Sequence, residues 1–255
     1  MVTGMNNTAL LLLGHGSSKH PDSSRSCRMH AEVLRDRGEF SEVHCAFLKE
    51  EPWVAEALAK IHSEHVVIVP DFLAEGYFTR QVIPGLLKLD SLPDTVRYCE
   101  PVGTHPMMQD LIAQTAEDLA GDWRPDETSL LLVGHGSTKN SRSKQTLLDH
   151  AQALREKGGL MEIADAWLEE EPFVRQWQET VTRDQVIVVP FLLSDGQHGG
   201  WDIPEMLGLD PAQPVHGVTH QLGGRDLRIA PALGTSVNFV KAIELVAAPP
   251  APASH

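Results

Sequence analysis

The chain has 255 residues, of which 42% are hydrophobic and 22% are charged, as in a globular protein with one large domain or two of ordinary size. Its formal net charge of −14 makes nucleic acid and anionic membranes poor partners, and no apolar run approaches the roughly 20 residues that cross a bilayer. The three cysteines, Cys27, Cys45 and Cys99, form no close pair, which argues against a disulfide framework, and we expect reduced thiols in a cytoplasmic protein.

The first half of the chain alternates short apolar runs with helical patterns. The runs ALLLLG at 9–14, VHCAFL at 43–48 and VVIVPDFL at 66–73 predict β-strands, because they are partly β-branched and bounded by Gly, Pro or charge. Helices are predicted between them, from Cys27 to Arg37 and from Trp53 to His62. Buried strands separated by helices are typical of a parallel sheet covered on both faces.

The second half repeats the first at a constant offset of 120 residues. Gly-His-Gly-Ser at 14–17 recurs at 134–137, Glu-Glu-Pro at 50–52 recurs at 170–172, and VVIVP at 66–70 recurs as VIVVP at 186–190. A constant offset over such a length indicates a tandem duplication. We therefore predict an α/β fold of two units, 1–122 and 123–246, with a disordered tail at 247–255.

The offset grows by eleven residues near the end of the repeat, where Arg97 and Gly103 match Arg228 and Gly234. This predicts an insertion in the second copy at about 211–226. The histidines of the insertion, His216 and His220, are expected to be loop residues, with a lid over a site as the minor alternative.

Three positions in each copy follow the carboxyl ends of predicted strands, where open parallel sheets bind their ligands. They hold His15, Lys49 and Phe78 in the first copy and His135, Glu169 and His198 in the second. Parallel strands end at one rim, so each trio is expected to lie within reach of a common point. Two imidazoles and a carboxylate suit Co²⁺, Fe²⁺ or Ni²⁺, whereas lysine and phenylalanine do not. The second copy is therefore predicted to hold the site.

Each of these residues also has an ordinary structural explanation. A histidine after a strand is commonly a hydrogen-bonded structural residue, and an acidic run such as 169–171 usually forms a solvated face. We accept that explanation for Glu170 and Glu171, which recur in the first copy. Glu169 and His198 differ between the copies, and this difference favours a function for them.

A basic and hydroxyl-rich stretch follows each Gly-His-Gly-Ser motif and leads into a predicted helix. In the second copy it contains Ser137, Lys139, Arg142 and Lys144. Helix N-termini favour anions, so the stretch is predicted to bind ligand carboxylates. Ordinary helix capping explains the same residues equally well.

These motifs resemble the class II chelatases of the CbiX, SirB and CbiK type, which insert a metal into sirohydrochlorin. The resemblance rests on Gly-His-Gly-Ser, on Trp-Leu-Glu at 167–169, and on a Gly-x-His-x-x-x-x-Ile-Pro pattern at 196–204. It covers nearly the whole chain and implies two flavodoxin-like units with an active-site cleft between them. Many members with two copies have their working histidines in the first copy, whereas here Phe78 stands in that frame and the histidine is His198.

The resemblance implies a lyase that inserts Co²⁺ into sirohydrochlorin for cobalamin synthesis, without a permanently bound cofactor. Insertion of Fe²⁺ for sirohaem synthesis, and insertion of Ni²⁺, are the alternatives. His135 and His198 would hold the metal or accept pyrrole protons, and Glu169 would steer both. The residues that would bind the anionic macrocycle are Ser137, Lys139, Arg142, His15 and Arg80.

Other functions fit the sequence less well. A histidine phosphatase needs Arg directly before its histidine, where this chain has glycine, and a hydrolase with Ser137 as nucleophile lacks the Gly-x-Ser-x-Gly pattern. A non-catalytic tetrapyrrole or metal carrier has the same residues and stays open, as does the choice between monomer and homodimer.

Overall fold

The structure, a computed structural model, describes residues 5–18, 21–137, 141–159 and 161–249, with the backbone alone at 21, 22 and 141–143. The strands are β1 (Met5–Gly14), β2 (Phe40–Phe47), β3 (His65–Pro70), β4 (Val96–Tyr98), β5 (Thr128–Gly134), β6 (Glu162–Trp167), β7 (Gln185–Pro190), β8 (His220–Leu222) and β9 (Arg225–Ile229). The α-helices are α1 (Arg25–Arg37), α2 (Val54–Ala57), α3 (Ile83–Leu87), α4 (Met107–Ala120), α5 (Ser141–Lys157), α6 (Trp177–Thr180), α7 (Ile203–Leu207) and α8 (Phe239–Ala247). None of the helices in the described ranges is long and apolar enough to span a membrane.

The sheet of the first compact unit is parallel throughout, in the order β2-β1-β3-β4. Its central strand β1 carries four consecutive leucines, 10–13, all fully buried. Such a strand needs apolar cover on both faces of the sheet, and burying each leucine contributes about 1.5–3 kcal/mol. The strand order is that of flavodoxin-like folds, as predicted.

The sheet of the second compact unit has the order β6-β5-β7-β9-β8, and its last strand is antiparallel. The predicted insertion supplies β8 and the beginning of β9, so it extends the sheet at its edge. His220 begins β8 and is therefore not the loop residue predicted, and its ring lies 3.0 Å from the carbonyl oxygen of Val215. The predicted parallel sheet is confirmed for β5, β6, β7 and β9, and β8 adds one antiparallel strand at its edge.

The helix predicted from Trp53 to His62 is shorter and broken. Trp53 has an extended backbone and bridges to Phe47, so α2 begins only at Val54. A 3₁₀ turn, Leu58–Lys60, replaces its second half and ends at the extended Ile61. The helix predicted from Cys27 to Arg37 is confirmed, and it ends at Gly38, which adopts the left-handed conformation common at helix ends.

Helix α4 is the last helix of the first repeat, but it belongs to the compact unit that contains the second sheet. Helix α8 is the last helix of the second repeat, but it belongs to the unit that contains the first sheet. Helix α4 contacts β7 and β9, and helix α8 contacts β3. The compact units are therefore not the same stretches of chain as the repeats, whose bounds at 122 and 246 stay a prediction. The three cysteines are free, with Cys27 and Cys99 buried and Cys45 half-buried, as expected.

Two arginines at equivalent places in the repeats bind the ends of these helices. Arg97 donates hydrogen bonds to the carbonyl oxygens of residues 246–248 at the end of α8. Arg228 donates to the carbonyl oxygens of residues 119 and 120 at the end of α4, at 3.0 and 2.7 Å. A cation at a helix C-terminus also interacts favourably with the helix dipole.

We expect Arg97→Ala to lower the free energy of unfolding by roughly 1.5–3 kcal/mol, because the end of α8 then loses its charge-assisted hydrogen bonds. Hydrogen–deuterium exchange should show faster exchange in α8 for Arg97→Ala and in α4 for Arg228→Ala. Lys241→Ala, on the exposed side of α8, is the control and should change neither helix. Equal exchange in the wild type and both arginine variants would contradict the capping role.

The carboxylate of Glu42 joins β2 to the turn before β3. It lies 2.9 Å from Nε2 of His44 and accepts hydrogen bonds from Oγ and N of Ser63, both at 2.7 Å. These contacts, with that from the backbone of His62, lower the pKa of Glu42 from its ordinary 4.5 to about 2. The ionised carboxylate is therefore the form that stabilises this connection.

A carboxyl group whose pKa is lowered by folding stabilises the folded state at pH values above its ordinary pKa of 4.5. This stabilisation is lost as the pH falls towards 2. We therefore expect Glu42→Gln to be less stable than the wild type at neutral pH, with the difference shrinking between about pH 4.5 and pH 2. Urea unfolding at a series of pH values measures this. Glu56→Gln removes an exposed carboxylate and is the control. A difference that does not depend on pH would refute the role of the charge.

Candidate active site

The second sheet reverses its strand order between β5 and β7, the place where open α/β sheets bind ligands. His135 directly follows β5, and His198 lies in the segment that follows β7. Glu169 comes two residues after β6, the neighbour of β5 on its other side. The predicted common rim is confirmed by this topology.

The three side chains lie close together. The rings of His135 and His198 meet edge to face, with centroids 4.7 Å apart and an interplanar angle of 88°. Oε2 of Glu169 lies 3.9 Å from Nδ1 of His135, and its backbone N–H donates to the carbonyl oxygen of His135 at 3.1 Å. All three side chains are about half exposed, so a ligand can reach them.

In both imidazoles the hydrogen bond is made by the same type of ring atom, Nδ1. Nδ1 of His135 lies 3.0 Å from the carbonyl oxygen of Gly136, and Nδ1 of His198 lies 2.7 Å from Oδ2 of Asp202. Each bond places the proton of a neutral imidazole on Nδ1 and leaves Nε2 as the acceptor. The Nε2 atoms can thus bind a metal or take up a proton.

The predicted metal ligands lie close together, but their side chains do not have the arrangement that coordinates a metal ion. In the ranges that the structure covers, no three His, Cys, Asp or Glu side chains have the geometry to hold a metal ion. The roles of His135, Glu169 and His198 as metal ligands therefore stay a prediction.

The turn that carries His135 requires its two flanking glycines. A Cβ on Gly134 would lie 2.4 Å from the ring of Trp167, and Gly136 has a φ of 74° with Glu170 beside it. Other residues would clash at the first position and be strained at the second. The Gly-His-Gly pattern therefore fixes the backbone that presents the imidazole.

Glu170 is not the solvated residue that the sequence suggested. Its Oε1 accepts a hydrogen bond from the backbone N–H of Ser137 at 3.0 Å, and its Oε2 lies 3.3 Å from Nζ of Lys144. Lys144 also lies over the ring of Trp167, 4.9 Å from its centroid. Lys144 is thus engaged by protein groups, and the binding of ligand carboxylates by this stretch stays a prediction.

The first unit repeats this arrangement with Glu50. Its Oε1 accepts a hydrogen bond from the backbone N–H of Ser17 at 3.2 Å, and its Oε2 lies 3.5 Å from Nη2 of Arg28. The recurrence of this glutamate at the same offset as the Gly-His-Gly-Ser motif was the signal that could have identified it. Both glutamates support the motif rather than a solvated face.

The predicted macrocycle-binding residues are only partly covered by the structure. Lys139 and the side chain of Arg142 lie outside the described residues, and Ser137 lies two residues after His135 in the chain. His15 and Arg80 belong to the first compact unit, where Arg80 is exposed. The rings of His15 and Phe78 have centroids 4.9 Å apart and an interplanar angle of 77°. The first repeat thus has a ring pair at the equivalent place, but only one of its rings is an imidazole.

The family model CbiX matches residues 9–119 and 129–247. A curated relative from Halobacterium salinarum, a probable sirohydrochlorin cobaltochelatase, is 38% identical over 220 residues, which cover 77% of this chain and 75% of the relative. The sirohydrochlorin cobaltochelatase of Methanopyrus kandleri is 28% identical over 141 residues, 45% of this chain and 98% of the relative.

Two solved structures share the fold. A multi-domain protein from Deinococcus radiodurans with structural similarity to chelatases has a TM-score of 0.80 at 28% identity over 97% of this chain, which spans only 56% of that protein. The sirohydrochlorin chelatase SirB from Bacillus subtilis subspecies spizizenii, solved in complex with cobalt, has a TM-score of 0.66 at 18% identity, covering 94% and 93% of the two chains. Because the family model covers both repeats, the chain belongs to the CbiX family.

Proposed function

We propose that the chain is a sirohydrochlorin chelatase, a lyase that inserts Co²⁺ into sirohydrochlorin for cobalamin synthesis. The observation that carries the proposal is the meeting of His135, Glu169 and His198 at the switch point of the second sheet. Membership of the CbiX family and the cobaltochelatase name of the Halobacterium relative support the same reaction and the choice of cobalt.

The reaction exchanges two pyrrole protons for one divalent ion. The metal enters as a substrate and is held by Nε2 of His135 and Nε2 of His198, with the Glu169 carboxylate attracting it to the rim. When the ion moves to the pyrrole nitrogens, two N–H bonds break and the vacated imidazole nitrogens accept the two protons. Imidazole suits both steps because its ordinary pKa lies near neutrality.

The first rim is suited to the anionic macrocycle rather than to the metal. Lys49 replaces Glu169 there, and its backbone N–H donates to the carbonyl oxygen of His15 at 3.0 Å, as that of Glu169 does to His135. The change reverses the side-chain charge at an equivalent place. We assign binding of macrocycle carboxylates to His15 and Arg80, and to Ser137, Lys139 and Arg142 in the second repeat.

Iron and nickel remain the competing metals, since two imidazoles and one carboxylate accept all three ions. We assign cobalt because curated relatives are named cobaltochelatases, and not because the ligand chemistry selects this metal. A cytoplasmic location, and a monomer or homodimer, stay predictions from the sequence.

Anaerobic absorbance spectra of sirohydrochlorin with Co²⁺ test the reaction. We expect the purified protein to accelerate formation of the cobalt complex well above the rate without protein. A protein that binds sirohydrochlorin without accelerating insertion would be a carrier, and this result would refute the enzymatic assignment. Parallel runs with Fe²⁺ and Ni²⁺ measure the preference for cobalt.

A further inference from the structure

The segment that carries His198 contains a carboxylate that contacts the imidazole and an amide that contacts this carboxylate. The segment, Asp195–Asp202, is a wide π-helical turn, a geometry often found at functional sites. His198 and Asp202 are four residues apart, and Nδ1 lies 2.7 Å from Oδ2. Gln197 donates from Nε2 to the other carboxylate oxygen, Oδ1, at 3.0 Å. Both oxygens of Asp202 are thus engaged within this segment.

The start of the same segment is fixed independently. Oδ1 of Asp195 accepts a hydrogen bond from the backbone N–H of Ala232 at 2.7 Å, beyond the end of β9. Gly196 then departs from helical geometry, with φ 38° and ψ −144°. The backbone that carries Gln197, His198 and Asp202 therefore starts from an anchored position.

Asp202 is not needed to begin the helix that follows it. It occupies the N-cap position of α7, yet its side chain makes no capping hydrogen bond. In the first repeat the corresponding helix α3 begins after Val82, which has no polar side chain to offer. The scaffold itself therefore tolerates an apolar residue at this position.

The internal repeat shows which residues change together. At the positions of Gln197, His198 and Asp202 the first repeat has Tyr77, Phe78 and Val82, while Ile-Pro follows in both. The second repeat has the imidazole together with the carboxylate and the amide, and the first repeat has none of the three at these positions. This pattern is expected if Gln197 and Asp202 serve the imidazole and not the fold.

We propose that Asp202, held by Gln197, is a positioning residue that keeps His198 in the Nδ1–H tautomer, with Nε2 directed to the incoming metal. The inference rests on the proposed function and deepens it. A carboxylate on the second nitrogen of a ligating histidine fixes the ring and makes the ligand more basic. Asp202 acts through His198 and touches neither the metal nor the macrocycle.

The test is Asp202→Asn, which keeps the size of the side chain. An amide can donate to Nδ1 and so favour the Nε2–H tautomer, which removes the metal-binding lone pair. We expect the rate of Co²⁺ insertion to fall roughly 10- to 100-fold. A long-range ¹H–¹⁵N spectrum of the metal-free protein at mildly alkaline pH should show His198 as Nδ1–H in the wild type and lose that tautomer in the variant, with His198→Gln assigning the signals.

Two further variants make the result decisive. Glu205→Gln removes an exposed carboxylate from α7 and should leave both the tautomer and the rate unchanged. Asp202→Val copies the residue of the first repeat and gives the same two readouts if the Asn variant does not fold. The proposal is overturned if His198 keeps its tautomer, or if insertion stays within about twofold of the wild type. A wild-type protein that inserts no metal would instead refute the proposed function, and the spectrum would still test Asp202.

Discussion

Replacing His135 by alanine is expected to lower the rate of cobalt insertion by about a hundredfold or more. The variant loses one of the two Nε2 atoms that we propose hold the ion and accept the pyrrole protons, and a positioned proton acceptor contributes typically 10²- to 10⁴-fold. His198 remains, but without its partner ring 4.7 Å away it offers a single nitrogen ligand. Anaerobic stopped-flow absorbance with sirohydrochlorin and Co²⁺ measures the loss.

His15→Ala is the matched control, because His15 occupies the equivalent turn of the first repeat. Its Nδ1 bonds to the next carbonyl oxygen at 2.8 Å, as that of His135 does at 3.0 Å, so both variants remove the same local contact. We expect His15→Ala to slow insertion by less than about tenfold, as for loss of one ordinary binding interaction. Equal losses in both variants would contradict a single working centre in the second repeat.

His30→Leu is expected to lower the free energy of unfolding by about 3–5 kcal/mol, the largest stability effect that we predict. Nδ1 of His30 lies 2.9 Å from Oδ2 of Asp71, and both side chains are completely buried. Phe239 of α8 stacks on the imidazole at 4.9 Å, and Oδ1 of Asp71 has no hydrogen-bond partner among the residues described. Removing the histidine leaves a buried carboxylate without its partner. Urea unfolding measures the change.

The second repeat provides the control for this pair. His150 is also buried, but Phe191 stands at the position of Asp71, with ring centroids 5.7 Å apart. We expect His150→Leu to be less destabilising than His30→Leu, and the double variant His30→Leu/Asp71→Leu to recover much of the lost stability. A double variant as unstable as His30→Leu would show that the carboxylate is not the cause.

The meeting of the three side chains could be predicted because it depends on strand ends. Once the duplication gives the strands, His135, Glu169 and His198 fall at the carboxyl ends of neighbouring parallel strands, and the sheet brings them together. The mismatches between the repeats then select the second copy, since Lys49 and Phe78 cannot replace the carboxylate and the imidazole. The structure shows that the three side chains meet, and their function as a metal site stays a prediction.

Other features depend on contacts that the sequence pattern does not report. Glu170 looked solvated because it stands in an acidic run, yet it accepts a hydrogen bond from the turn of Ser137. The apolar faces of α4 and α8 have the same helical periodicity whichever sheet they cover. The sequence pattern therefore does not show on which sheet each helix packs. Asp202 was not predicted, because the sequence pattern does not show that its carboxylate reaches the imidazole of His198 one helical turn away.

We propose that this chain inserts a divalent metal into sirohydrochlorin at His135, Glu169 and His198. The most direct measurement is the anaerobic rate of metal-complex formation from equal concentrations of Co²⁺, Fe²⁺ and Ni²⁺, for the wild type and for His135→Ala/His198→Ala. We expect from this proposal that the wild type forms the cobalt complex fastest and that the double variant falls to the rate without protein. A double variant as fast as the wild type, or a wild type no faster than buffer, would contradict it.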